Sequence, residues 1–284
     1  MKKGKILVLI GFLLISFLSN EVKSGNTWQP LKTGAQLKTG DELKISENAS
    51  VGLVSKFGRP LEVKEAKIHK VADLLSRVGT SQSVLNKYTD FILSSNSAEA
   101  KKNRLSATGA VHRGLDDIKV YLPENQFADV FNSTVVINWQ AIKGGAPYVV
   151  SLKNMFDNEL MKIETPETKV QVDLDDPKFT GQLSILVEVK SKADRKSKSE
   201  QYLIKRLSPS RYEAVKTELN KATADLKEET AFNKYLLAGF YEENKLFIDA
   251  ITCYEQAIKM DPENPTYKDA YEEFLLRNKL KVGK

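Results

Sequence analysis

The stretch LKTGAQLKTGDEL, residues 31–43, repeats the unit Leu-Lys-Thr-Gly after six residues. In each unit an apolar residue is followed by two polar residues and a glycine, which is typical of a short strand that ends in a turn. Glycine adopts a positive φ without steric cost, so we expect Gly34 and Gly40 to do so. Leu31 and Leu37 would then lie on one face of successive β-corners. The repeat therefore predicts packing and requires no chemistry.

The residues around this repeat extend the same pattern and then change its period. Apolar residues separated by turns run from Trp28 to Val63 and predict short strands. Helical spacing follows, first from Ile68 to Val78 and then from Val84 to Ile92. We therefore predict a small all-β module with following helices over residues 25–93. A polar, small-residue linker is predicted at 94–111.

The first 24 residues have the composition of an export signal. Lysines at positions 2, 3 and 5 precede a thirteen-residue, mostly apolar run, ILVLIGFLLISFL, and polar residues follow it. Such a run is short for a bilayer crossing, which takes roughly 20 residues, so we predict a signal peptide at 1–24 and a periplasmic protein. An uncleaved inner-membrane anchor is the alternative, and only in that case do we expect membrane contact.

The overall charge gives no reason to expect a nucleic-acid partner. Residues 1–24 carry four lysines and one glutamate, so their removal lowers the formal net charge from +6 to +3. Basic residues elsewhere alternate with acidic ones, whereas nucleic-acid-binding proteins cluster them. The single cysteine, Cys253, lies far from the apolar run, so we expect no lipid anchor and no internal disulfide.

Residues 112–207 return to strand patterns and predict an immunoglobulin-like or fibronectin-like β-sandwich. Trp139 is expected to fill its core. Seven short candidates are separated by Gly, Pro, Asn and Asp turns. They are IKVYL (118–122), TVVINW (134–139), YVVSLK (148–153), ELMKIE (159–164), KVQVDL (169–174), LSILVEV (183–189) and QYLIKRL (201–207).

Residues 208–284 are predicted to be helical, and their second helix carries a repeat-like pattern. Counting Ala231 as the first position, small residues fall at Ala238, Ala250 and Ala257, and Pro262 ends the unit. This spacing resembles the tetratricopeptide repeat, in which small residues let two antiparallel helices approach closely. We therefore expect at least one tetratricopeptide-like hairpin.

The stretch from Trp28 to about Leu75 resembles the FecR-type domain of bacterial envelope proteins. The matching residues are Trp28, Leu31, Gly34, Leu37, Gly40, Asp41, Val51, Leu53, Gly58 and Leu61. The resemblance implies a location outside the cytoplasmic membrane and no catalytic residues. Only five residues precede the apolar run, so we do not expect direct control of a sigma factor through a cytoplasmic segment.

Residues that could carry chemistry are few and scattered. His69 falls on a predicted helix, His112 in the linker, and Cys253 beside Tyr254 on a repeat helix. A structural zinc site takes about four ligands, and these residues do not supply them. The Asp-Asp pairs at 116–117 and 175–176 lie beside turns, where solvated carboxylates are common. We expect no enzyme activity, no cofactor and no metal.

The expected fold class is thus multidomain, β then α, with FecR-like, sandwich and tetratricopeptide-like parts. We predict a non-enzymatic scaffold or signalling accessory that binds envelope proteins through the repeat groove. Candidate contacts are Asn233, Lys234, Leu237 and Tyr241, although the last two also suit helix packing. The alternative is a cell-wall or carbohydrate-binding accessory, whose aromatic contacts would be Tyr121, Phe127, Phe131 and Phe156.

Overall fold

The structure is a computed structural model that describes residues 5–10, 20–32, 34–78, 83, 85, 87, 88, 91, 118–194, 196–224, 226 and 228–281. The predicted linker at 94–111 and His112 lie outside these residues. The described part is mostly β structure as far as Arg206 and helical from Pro209 onward. The predicted order, β then α, is therefore confirmed in this coarse form.

The chain divides into two compact units, each assembled from three segments. Unit 1 comprises Met1–Ser97, Thr217–Phe240 and Cys253–Tyr271; unit 2 comprises Ala98–Lys216, Tyr241–Thr252 and Glu272–Lys284. The predicted boundaries were contiguous and placed all of 208–284 in a separate helical region. Instead, each unit combines strands with helical residues.

The described strands of unit 1 form two antiparallel sheets, with orders β4-β1-β6-β7 and β3-β2-β5-β8. The strands are β1 Lys5–Ile10, β2 Glu21–Ser24, β3 Thr27–Pro30, β4 Gln36–Lys38, β5 Glu42–Lys44, β6 Val51–Ser55, β7 Pro60–Val63 and β8 Ile68–Lys70. Helix α1, Val71–Ser76, follows directly. The sequence predicted that a helix begins at Ile68, but Ile68–Lys70 pairs with β5, so the helix begins three residues later.

The two Leu-Lys-Thr-Gly units form two different turns. Leu31 and Leu37 are both buried in one core with Leu43, as predicted. Gly34 has a φ of 80°, and the Ala35 N–H donates to the Lys32 carbonyl at 3.0 Å. Gly40 is not among the positive-φ residues, so that expectation was wrong. The second turn is instead closed by Asp41, whose carboxylate accepts the Lys38 N–H at 2.7 Å.

The predicted signal segment overlaps two strands of unit 1. β1 pairs with β4 and β6, and β2 pairs with β3 and β5. Asn20 is buried; its carbonyl accepts the Leu31 N–H at 2.8 Å, and its side-chain oxygen accepts the Ser46 N–H at 3.0 Å. The predicted boundary between residues 24 and 25 therefore falls inside the β2–β3 hairpin.

Unit 2 has a five-stranded sheet of order β12-β11-β14-β15-β9 and a two-stranded sheet, β10-β13. The strands are β9 Asp129–Val130, β10 Thr134–Asn138, β11 Tyr148–Lys153, β12 Glu159–Thr165, β13 Lys169–Asp173, β14 Ser184–Ser191 and β15 Tyr202–Arg206. Alternate residues of β11 and β14 are buried in one core with Trp139, as period-two patterning predicts. Trp139 itself is 2 % exposed.

The segment 118–122 was predicted to be a strand and is not one. Its apolar residues Ile118, Val120 and Leu122 are buried in the core. Its pairing amounts to a single bridge between Val120 and Trp139. The alternating pattern thus reflects side-chain burial, and Pro123, which cannot donate a backbone hydrogen bond, ends the segment.

Four further helices follow: α2 Pro209–Thr223, α3 Ala231–Glu243, α4 Phe247–Met260 and α5 Pro265–Arg277. Thr230 caps α3, because its hydroxyl accepts the Asn233 N–H at 3.1 Å. Asn264 caps α5 by accepting the Thr266 N–H at 3.1 Å, and Pro265 begins that helix. The repeat-position alanines 238, 250 and 257 are fully buried. Within the described ranges, no helix combines the length and apolar character needed to span a membrane.

Candidate interaction surface

The four predicted partner-binding residues lie on α3, three in unit 1 and Tyr241 in unit 2. Asn233 is half-buried, and its amide donates to the Glu228 carbonyl at 2.8 Å. The Lys234 ammonium lies 2.8 Å from the Glu229 carboxylate, and the lysine side chain is only 18 % exposed. Both polar candidates are therefore engaged locally, at the beginning of the helix.

The two apolar candidates are less accessible. Leu237 is half-buried. Tyr241 is 3 % exposed, and its ring centroid lies 6.3 Å from that of Phe131 in unit 2. The burial of Tyr241 agrees with the alternative interpretation, in which this residue packs the protein and does not contact a partner.

Part of α3 is covered by unit 1 itself. A Cβ built on Gly52 of strand β6 would lie 2.6 Å from the Phe232 ring, so strand and helix approach closely because residue 52 is a glycine. The rings of Tyr88 and Phe240 are 5.1 Å apart in an edge-on arrangement. This covered surface includes part of the first helix that was expected to line an open repeat groove.

A polar cluster in unit 1 joins the beginning of β6 to the loop before α5. The Ser50 hydroxyl donates to the Asp261 carboxylate at 2.7 Å. The Asn264 amide donates to Ser50 at 3.1 Å and to Asp261 at 3.2 Å. Asn264 thus caps α5 with its oxygen and binds the strand region with its nitrogen.

Two titratable groups beside this cluster are shifted by burial. Burial raises the pKa of Glu62, and the nearby Lys64 and a hydrogen bond from Thr230 oppose that shift. Burial, together with the negative charges of Glu62 and Asp261, raises the pKa of Tyr267. Tyr267 also packs edge-on against Tyr235 at 5.5 Å between ring centroids. These groups belong to helix–strand packing.

Unit 2 contains a fully buried carboxylate, Asp249, in the first turn of α4. It accepts the Phe131 N–H at 2.9 Å, the Asn132 N–H at 2.8 Å and the Asn132 amide at 2.7 Å. Burial raises the pKa of Asp249 to about 6, and the three donors act in the opposite direction. Asp249 thus binds the turn between β9 and β10 to the helix.

Two further polar contacts hold helical residues within unit 2. The Thr252 hydroxyl accepts the Val136 N–H of β10 at 3.0 Å and donates to the Ile248 carbonyl at 3.0 Å. Glu242 is 2 % exposed and binds the Arg277 guanidinium through two contacts of 2.6 Å. Because the Arg277 guanidinium contacts both carboxylate oxygens, it compensates the buried negative charge of Glu242.

Of the residues that could carry chemistry, those that the structure describes occupy structural positions, whereas His112 and the pair at 116–117 lie outside the described residues. His69 is buried, and its Nε2 lies 2.9 Å from the Glu65 carbonyl. Cys253 is buried in α4, as expected. Asp176 caps a short turn of helix, and Asp175 pairs with Arg206 at 3.2 Å. In the part of the chain that is described, no group of three or more His, Cys, Asp or Glu residues is arranged to hold a metal ion.

The sequence analysis missed Asp249, Ser50 and Asp261. An acid in the first turn of a helix is a local signal that could have marked Asp249. Its partners Phe131 and Asn132 are more than a hundred residues away, and no local pattern identifies them. Comparison with protein-family models found no matching family, and comparison with curated proteins found no match.

Proposed function

We propose that this chain is an exported, non-enzymatic protein of the bacterial envelope that acts as a protein–protein interaction scaffold or signalling accessory. The FecR-type resemblance of residues 28–75 supports this proposal, together with the immunoglobulin- or fibronectin-like patterning of 112–207. The tetratricopeptide-like spacing of α3 and α4 supports it as well. The basic and apolar N-terminus supports export.

The observation that carries the proposal is the role of two aspartates, the fully buried Asp249 and the half-buried Asp261. In enzymes, ionisable groups with strongly shifted pKa values commonly face a cleft, where they meet a substrate. Here Asp249, whose pKa is raised by burial, faces backbone N–H groups of its own unit. Asp261, on the loop before α5, is used in the same structural way, because it faces the Ser50 hydroxyl and the Asn264 amide. Groups used in this way fix helices to strands, which suits a rigid scaffold.

The beginning of α3 is the proposed partner contact. Glu229 is 83 % exposed, whereas the paired Lys234 is largely covered. Because exposed ion pairs contribute little to stability, about 0–1 kcal/mol, an acidic side chain of a partner can replace Glu229 at the ammonium. Asn233 lies beside Lys234 and would add an amide contact. The expected partner segment is therefore acidic.

The test uses the full chain, because helical residues of 208–284 contribute to both units and the isolated segment would lack their β partners. A photo-crosslinking amino acid replaces Asn233, and the protein is irradiated in cells that export it. We expect one discrete protein adduct, which weakens when Lys234→Ala is added. The matched control carries the crosslinker at Lys216, a lysine of α2 that also pairs with a glutamate. Absence of an adduct at position 233 in a folded chain, or equal adducts at both positions, would contradict the proposal.

The aromatic residues of the carbohydrate-binding alternative do not form one exposed platform. Phe127 packs on Phe247 at 5.1 Å, and Phe131 stacks on Tyr212 at 4.8 Å. Tyr121 is half-buried, and burial, with the charge of Glu272, raises its pKa to about 12. Phe156 alone of the four is largely exposed, at 86 %. The scaffold is therefore the better-supported function.

A further inference from the structure

The hairpin tip between β11 and β12, residues 154–158, presents apolar side chains to solvent. Phe156 is 86 % exposed and Met155 is 57 % exposed; Leu183, just before β14, is 71 % exposed. Because Lys153 pairs with Leu186, the tip and Leu183 lie at the same end of the five-stranded sheet. Large apolar side chains gathered at one place on a surface mark a binding site for a partner or a membrane.

The tip is held in one conformation by its own hydrogen bonds. The Asn154 side-chain oxygen accepts the Phe156 and Asn158 N–H groups at 2.9 and 3.0 Å. The Asn154 N–H donates to the Asn158 carbonyl, and the Asp157 N–H to the Asn154 carbonyl, both at 3.0 Å. Little conformational entropy is therefore lost when Met155 and Phe156 become buried.

Four basic residues near the tip are paired within the protein. Each has a carboxylate partner at 4.0 Å or less. The pairs are Lys153–Asp157, Lys162–Glu159, Lys205–Asp129 and Arg206–Asp175. Because these four charges are paired, we expect binding at the tip to depend on apolar contact.

We propose that Met155, Phe156 and Leu183 insert into the interfacial layer of a zwitterionic lipid bilayer. Four N–H groups of the tip are bonded within the tip, which lowers the cost of moving this backbone out of bulk water. Its Met, Phe and Leu side chains carry no hydroxyl, amide or charge. A sugar would require polar groups beside the stacking ring, but Asn154 and Asp157 are already used by the turn. This lipid contact is separate from the partner contact proposed at α3.

The first test places a fluorescent probe at the tip of the full chain. Phe156→Trp is titrated with phosphatidylcholine vesicles, with and without acyl chains brominated near the interface. We expect a blue shift of the emission and quenching by the brominated lipid, both unaffected by added salt. The control is Ile68→Trp, an exposed apolar position in unit 1, whose emission should not respond.

The second test measures binding directly by co-sedimentation with the same vesicles. The double variant Met155→Ser/Phe156→Ser should lower vesicle affinity by at least about tenfold, since burying even one large apolar side chain is worth roughly that factor. Ile68→Ser should bind like the wild type. The proposal is overturned if the wild type does not bind the vesicles, or if the double variant binds equally well. Retention on cell-wall polymer that requires Phe156, without vesicle binding, would assign the tip to a sugar instead.

Discussion

The two units attach helical residues to their strands through different polar chemistry. In unit 1, Asp261 accepts hydrogen bonds from the Ser50 and Asn264 side chains at a half-buried position. In unit 2, the fully buried Asp249 accepts two backbone N–H groups and one amide. Side-chain donors can rotate toward water when the acceptor is lost, whereas backbone donors in a fixed turn cannot. The contact in unit 2 should therefore contribute more to stability.

The two tryptophans make this comparison measurable. The chain contains Trp28 in unit 1 and Trp139 in unit 2, and no other tryptophan. A Trp139→Phe background reports unfolding of unit 1, and a Trp28→Phe background reports unfolding of unit 2.

The largest expected effect is confined to unit 1 and concerns its two N-terminal strands. A chain that begins at Gly25 lacks β1, which pairs with β4 and β6, and β2, which pairs with β3 and β5. We expect such a chain to lose the cooperative urea transition reported by Trp28. The matched control begins at Lys5 and retains both strands, so it should keep that transition. Equal behaviour of the two chains would show that residues 5–24 are dispensable.

The next effect concerns Asp249 in unit 2. Asp249→Ala leaves three N–H donors without their acceptor, at a cost of roughly 3 kcal/mol or more. Urea unfolding followed by Trp139 fluorescence measures this loss. If Asp249→Ala lowers the free energy of unfolding less than Ser50→Ala does in unit 1, the contact in unit 2 does not contribute more to stability.

Asp249 also predicts a pH dependence with a defined sign. Its pKa is raised from 3.8 to about 6 in the folded chain, so the folded state binds the proton more tightly. The stability contributed by this group is fully present below 3.8 and is lost as the pH rises through about 6. Relative to the wild type, Asp249→Asn should therefore be more destabilising at about pH 4.5 than at about pH 7. A penalty that grows with pH would contradict the assignment.

A fourth prediction tests the close approach of strand and helix in unit 1. Gly52→Ala places a methyl group 2.6 Å from the Phe232 ring, and such overpacking typically costs about 1–3 kcal/mol. The transition reported by Trp28 should shift accordingly. Adding Phe232→Leu should recover part of the loss. If Gly52→Ala is neutral, the helix does not pack on β6 as described.

The smallest effect is expected at Ser50. Ser50→Ala removes one donor to Asp261 while Asn264 still reaches that carboxylate, so we expect a loss of about 0.5–1.5 kcal/mol in unit 1. Ser24→Ala is a suitable control, because Ser24 is an exposed serine of β2 in the same unit. If Ser50→Ala lowers the free energy of unfolding no more than the control does, the Ser50 hydroxyl does not stabilise unit 1.

Local sequence patterns predicted the local structure well. Period-two alternation marked most strands of unit 2, and alanine spacing marked the helices α3 and α4. Alternation failed at 118–122, because Ile118, Val120 and Leu122 are buried without a strand ladder. The expectation that Gly40 has a positive φ also failed, because Asp41 closes that turn. These failures arise where side chains and not backbone pairing satisfy the pattern.

The assembly of helical residues into two units could not be predicted, since it depends on contacts between distant segments. Asp249 with Asn132 and Asp261 with Ser50 are examples. The same long-range packing buries Tyr241 and part of α3, so the candidate contact narrows to Asn233 and Lys234. The sequence offered Phe156 as an exposed aromatic together with Tyr121, Phe127 and Phe131, and it could not distinguish the exposed one from the packed ones, because a phenylalanine in a strand-rich segment suits a core equally well.

The most direct test of the central claim, that Asp249 and Asp261 fix helices to strands, is hydrogen exchange of the full chain at neutral pH. In Asp249→Ala, we predict faster exchange at residues 129–138 and 247–252 of unit 2. In Asp261→Ala, the faster exchange should appear at residues 50–55 and 261–267 of unit 1. Unchanged exchange at these segments in both variants would contradict the claim.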